Sequence, residues 1–131
     1  MKRNKILYQC MVALTAAFIF SGCYKDKTVY LDVSEEITRP VSFAADVIPI
    51  FNSSCNQSGC HNSGGKSPDL SISNAYNSLQ NGGYLNLNSP ENSELYLWMS
   101  GKKGTPMPLS GVNKKYNAMV LAWLKQGCKN N

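Results

Sequence analysis

Cys55-Asn56-Gln57-Ser58-Gly59-Cys60-His61 is the segment that most limits what this chain can fold into. It sets two thiols five positions apart, and the only histidine of the 131 residues directly follows the second. The pattern around it, from Val41 onward, predicts an all-helical domain of about four short helices with long connections. Asp46 is placed to cap a helix carrying Val47, Ile48, Ile50 and Phe51, with Pro49 tolerated in its first turn. Asn56 to Asp69 is rich in Gly, Ser and Asn and reads as loop. Ser73 is expected to cap a helix over Asn74 to Asn81 that Gly82-Gly83 closes, and Ser89-Pro90-Glu91 signals another that ends at Gly101. The last helix, about Asn113 to Gln126, carries Tyr116, Met119, Val120, Trp123 and Leu124 on one face and stops at Gly127. Helices this short bury little surface by themselves, and the loops are long for their number. The pattern therefore calls for something other than side chains at the centre.

The cysteines indicate what that is. Two thiols at this spacing can form thioethers to the two vinyl groups of a haem, and the adjacent imidazole reaches the iron from the face on which the peptide lies. The usual attachment site is Cys-x-x-Cys-His, and here the spacer is four residues long. Gly59 and the small Ser58 let the longer loop arch over the ring. Two other readings exist. A Cys55–Cys60 disulfide suits an exported protein but leaves His61 as coincidence. A zinc site of Cys55, Cys60, His61 and Cys128 has the ligand count, but neighbouring ligands at 60 and 61 strain a tetrahedron.

A single histidine excludes bis-histidine ligation, so the sixth position of such an iron falls to a methionine, and Met99, Met107 and Met119 are on offer. Met99 and Met119 sit at helical spacing beside aromatic and aliphatic residues, which suits core packing. Met107 lies between Pro106 and Pro108, which restrict the backbone and aim the thioether. Met107 is the expected ligand. Tyr76, Tyr84, Trp98 and Trp123 are expected to wall the pocket.

Taken together, residues 41–127 resemble the class I mono-haem cytochromes c, most closely the small lipoprotein-type domains of Gram-negative bacteria. The resemblance rests on Asp46-Val47-Ile48-Pro49-Ile50-Phe51, the Cys55–Cys60–His61 site, Met107-Pro108 with Gly111 beyond it, and the terminal Trp123-Leu124-Lys125-Gln126-Gly127. It implies a cytochrome c-like fold around one covalently bound haem c, with the first and last helices packed together across one haem edge. It also implies His61 as proximal ligand, Met107 as distal ligand and Cys55 and Cys60 as covalent anchors. A module of this kind carries electrons and is not an enzyme. The alternatives are a five-coordinate haem sensor or weak peroxidase, and a haem-free envelope lipoprotein stapled by a disulfide.

The chain's first stretch reads as an address. Lys2, Arg3 and Lys5 precede an apolar run from Ile6 to Phe20, and Phe20-Ser21-Gly22-Cys23 resembles the lipobox of bacterial lipoproteins. Residues 1–22 are thus a signal peptide, Cys23 is the lipidated residue, and 23–40 is a tether in which Val29 to Val33 suggests a short strand. Fully extended, such a leash spans about 55–60 Å. Tyr24 stands where aspartate would signal inner-membrane retention, which favours the outer membrane on its periplasmic side.

Composition removes other classes. With 43% hydrophobic and 16% charged residues, the chain is neither an acidic disordered tail nor a membrane bundle. Much of the net charge of +5 belongs to the signal peptide, so nucleic acid is not an expected partner. Lys66, Lys102, Lys103, Lys114 and Lys115 flank the site residues and suggest a basic collar for acidic redox partners. Cys128 is left without an assigned role, as a buried thiol or a bridge between two chains.

Overall fold

A computed structural model describes residues 36–131. The signal segment, Cys23 and the tether up to residue 35, with the strand suggested at Val29 to Val33, lie outside the described residues. Among the described residues there are helices and no strand, as the patterning predicts. None of these helices is long and apolar enough to cross a membrane.

The first helix begins before Asp46. Ser42 is extended, and its hydroxyl accepts from the Ala45 amide at 3.1 Å. The Asp46 carboxylate accepts in return from the Ser42 amide at 2.9 Å. This reciprocal cap satisfies two amides that would otherwise lack partners. Phe43–Val47 forms one π-helical turn that runs directly into helix α1, Ile48–Ser54. Asp46 is therefore a first-turn residue and Ser42 the cap. Pro49 stands in the first turn of α1, where its missing N–H costs nothing.

Helix α2, Ala75–Asn81, starts at Asn74 rather than Ser73. The Asn74 side chain does not cap the helix; it donates to Asp69 at 2.8 Å, which also accepts from the Ser71 amide at 2.9 Å. The helix expected to start at Ser89 is broken in two. Pro90–Asn92 is a single 3₁₀ turn, Ser93 is extended, and α3 occupies Glu94–Met99. The cause is tertiary: Ser93 is fully buried and its hydroxyl accepts from the Asn86 amide at 2.9 Å. Helix α4, Lys114–Lys125, is capped by Asn113, whose side chain accepts from the Tyr116 amide at 3.1 Å.

The expected glycine stops are all used. Tyr84, Lys102 and Cys128 donate back to Leu79, Leu97 and Trp123 at 3.0, 3.0 and 3.1 Å, closing α2, α3 and α4. In each case a glycine (Gly83, Gly101 or Gly127) takes the positive φ that this closure demands.

The first and last helices pack together through aromatic rings. Phe43 lies 5.0 Å from Trp123, 5.4 Å from Tyr76 and 6.3 Å from Phe51, centroid to centroid. Trp123 and Phe51 are wholly buried, each worth roughly 1.5–3 kcal/mol of apolar burial. Polar contacts secure the edges of this core. Trp123 Nε1 donates to the Lys129 carbonyl at 2.8 Å, and the Tyr76 hydroxyl donates to the Cys128 carbonyl at 3.0 Å. Asn131 accepts from the Ala44 amide at 2.9 Å and from the Ser42 hydroxyl at 2.8 Å. Two loops, one after α1 and one after α3, are left to enclose the other side of Phe51.

Candidate cofactor site

The loop after α1 is a tight coil fixed by its own backbone. The His61 amide donates to the Cys55 carbonyl at 3.1 Å, Cys60 to Gln57 at 2.9 Å, and Lys66 to Cys60 at 2.7 Å. Gly59 takes a φ of +77°, the arch expected of it. Gly65 packs so closely that a Cβ there would fall 2.3 Å from the Cys60 carbonyl oxygen. The second loop hangs from α3: the Met107 amide donates to the Trp98 carbonyl at 3.0 Å. Gly104 returns over the Trp98 ring, where a Cβ would meet the ring at 3.2 Å.

Between the loops lie two adjoining cavities of about 340 and 330 Å³. Cys55, His61, Lys66 and Met107 line both, and Cys60 lines the second. The structure thus brings Cys55, Cys60, His61 and Met107 around one space. Phe51, Leu70, Leu95, Tyr84, Trp98 and Met99 make the first cavity apolar. Its volume falls in the range of small-molecule and cofactor sites.

The imidazole of His61 is held in one orientation. Its Nδ1 lies 3.1 Å from the Lys66 carbonyl and 3.0 Å from the Pro68 carbonyl. Facing two acceptors, Nδ1 carries the proton, which leaves the Nε2 lone pair available as a metal ligand. Backbone carbonyls such as these two leave no mark in side-chain identity. The only signal for them was the Gly- and Ser-rich stretch that lets the chain fold back on His61.

Cys55 and Cys60 are both free thiols. Burial, with the neighbouring Cys60 adding to it, pushes the Cys55 thiol up to about 11. It is therefore a neutral S–H group at physiological pH. On the rim, hydrogen bonds from Ser53 and Ser54 hold the Tyr116 phenol below its usual value and tie the start of α4 to the second cavity.

Other expectations need correcting. Of the four aromatic residues expected to wall the pocket, Tyr84 and Trp98 do so, whereas Tyr76 and Trp123 belong to the core around Phe43. Met119 is remote from the cavities, its sulfur 3.8 Å from the Arg39 guanidinium. Met99 is 3% exposed and lines the first cavity. Cys128 is 3% exposed at the end of α4, with its thiol against the Leu124 carbonyl at 3.9 Å. Among the described residues no three His, Cys, Asp or Glu side chains gather as metal ligands. Of the lysines flanking the site, Lys103 pairs with Glu94 and Lys102 lies 5.6 Å over the Tyr96 ring.

No protein-family model, curated protein or solved structure matches this chain. The reading of the site therefore rests on its own chemistry.

Proposed function

We propose that this chain is a c-type cytochrome domain that relays single electrons, with haem c held by Cys55 and Cys60 and ligated by His61 and Met107. One observation carries the reading. A histidine with its Nδ1 turned away to backbone carbonyls, two free thiols and a half-buried methionine line two adjoining cavities, the first of them apolar. The donor set fits the group: sulfhydryls for two vinyl carbons, an imidazole and a thioether for iron, and hydrocarbon walls for a porphyrin. In this reading the cavity is the centre that four short helices cannot fill.

The bound group supplies a one-electron ferric/ferrous couple. The chain's own residues supply the rest. The carbonyls of Lys66 and Pro68 fix the His61 ring so that little reorganisation accompanies electron transfer. Thioether ligation favours the reduced metal relative to a second imidazole. The apolar wall of Phe51, Leu70 and Leu95 excludes water and disfavours the added charge of the oxidised state. The domain binds and transforms no substrate, so it is a carrier and not an enzyme. Lipidation at Cys23 and the tether would hold it on the periplasmic side of the bacterial envelope, at the outer membrane, within reach of redox partner proteins.

The test is direct. The full chain is exported in a host that matures c-type cytochromes, denatured, and assayed as its pyridine haemochrome. Pigment that stays with the polypeptide is the expected result. Colourless protein from that host would overturn the reading.

A further inference from the structure

Among the residues that line the two cavities, Lys66 is the single charged one. Every other lining group is apolar, a hydroxyl, an amide, a thiol, a thioether or the imidazole. A cation at the edge of a cavity is felt by a charge bound inside it, with solvent weakening the effect on the exposed side. The residue is also coupled to the site mechanically. Its own carbonyl accepts from His61 Nδ1 at 3.1 Å, and its amide donates to the Cys60 carbonyl at 2.7 Å. Through its backbone Lys66 thus links one thiol anchor to the imidazole, and it is an exposed residue that lines both cavities.

We propose that Lys66 holds a carboxylate at the cavity mouth and sets the reduction potential of the group bound inside. The inference rests on the haem reading and adds to it a residue and a ligand chemistry. A haem carries two carboxylates, and no other cation lines the cavities to receive one. The sign of the effect follows from charge. Gaining an electron lowers the positive charge on the iron by one. A nearby cation, or a carboxylate neutralised by one, therefore favours the reduced form. Removing the charge exposes the iron to an uncompensated carboxylate and lowers the potential.

The experiment is spectroelectrochemical titration of the pigmented full chain, comparing wild type, Lys66→Gln and Lys66→Arg. Neither change removes the backbone carbonyl that holds His61. The glutamine variant is expected to shift the ferric-to-ferrous ratio at fixed potential about tenfold toward ferric, which is 59 mV for a one-electron couple. The arginine variant should restore it. Adding acetate distinguishes the two sources of the carboxylate. A wild-type potential indifferent to acetate assigns it to the cofactor, and one that falls with acetate only while Lys66 is present assigns it to a free anion. A pigmented glutamine variant with unchanged potential would overturn the proposal, as would loss of pigment in both variants. Colourless wild type instead defeats the haem reading beneath it, so the two failures are separable.

Discussion

The Met107 amide donates to the Trp98 carbonyl across 3.0 Å, so the methionine loop hangs from the end of α3 and not from the helix that follows it. Gly104 lets the same loop lie against the Trp98 ring. The sulfur at position 107 is therefore positioned by backbone, and its replacement leaves the loop in place. Met107→Ala is expected to keep covalent haem and to lose the sulfur-to-iron charge-transfer band of the oxidised spectrum. If that band survives, Met99, buried in the wall of the same cavity, is the ligand, and Met99→Ala will abolish it.

His61→Ala removes the only imidazole and the anchor of two carbonyls. The expected outcome is an exported chain without stable pigment and with most of its helical circular dichroism gone. A folded, red His61→Ala protein would refute the ligand assignment.

Gly65→Ala tests the loop without touching a ligand. The added methyl would overlap the Cys60 carbonyl, which is fixed by its hydrogen bond from the Lys66 amide, and approach Asn62 Oδ1 to 2.7 Å. Relief requires opening the turn beside His61. A stability loss of about 1–3 kcal/mol is expected, in line with other overpacked sites, and is read from denaturant unfolding of the pigmented protein.

Acid sensitivity should trace in part to Asp46. Arg39, hydrogen-bonded at 2.7 Å, and then the Ser42 amide hold its carboxylate below the usual range. The unfolded chain therefore takes up the proton first as pH falls. The contribution to stability is complete above the ordinary carboxylate value, about 4, and fades as pH drops through the lower folded value. Asp46→Asn should flatten the acid limb of thermal midpoint against pH. Asp69, lowered by its bonds to Ser71 and Asn74, will keep a residual slope.

Cys128 offers a readout of the core. Burial raises its thiol to about 11, so the stability it lends is intact below the unfolded thiol value and is lost as pH rises through the folded one. At neutral pH in the native protein it should resist iodoacetamide, and denaturant should expose it. Rapid alkylation without denaturant would mean that α4 does not close as described.

How much of this could be read in the sequence depends on the range of the forces involved. Helix α4 and the glycine closures were legible because both are local: a stripe at helical spacing, then a glycine within one turn of its end. The break at Ser93 was not legible. Ser89-Pro90-Glu91 carries a strong start signal, and what overrides it is a buried hydroxyl bonded to the Asn86 amide. The π-helical turn at Phe43–Val47 was hidden for a similar reason, since Asp46 before Pro49 has the form of a cap, and only the bond to Ser42 shows which residue fills that role.

The site divided along the same line. Cys55, Cys60, His61 and Met107 were legible because their chemistry is scarce in this chain. The aromatic residues were not separable, since periodicity marks Tyr76, Tyr84, Trp98 and Trp123 as inward-facing without saying toward which interior. The backbone carbonyls of Lys66 and Pro68 leave no mark in side-chain identity at all.

The ring contact between Phe43 and Trp123 joins the two ends of the domain, and it bears on the order of assembly. A chain delivered amino end first presents residues 55–61 to its surroundings before Trp123 has arrived to close the interior. Until then Phe43 lacks one of its ring partners, and the last helix completes that part of the core afterwards.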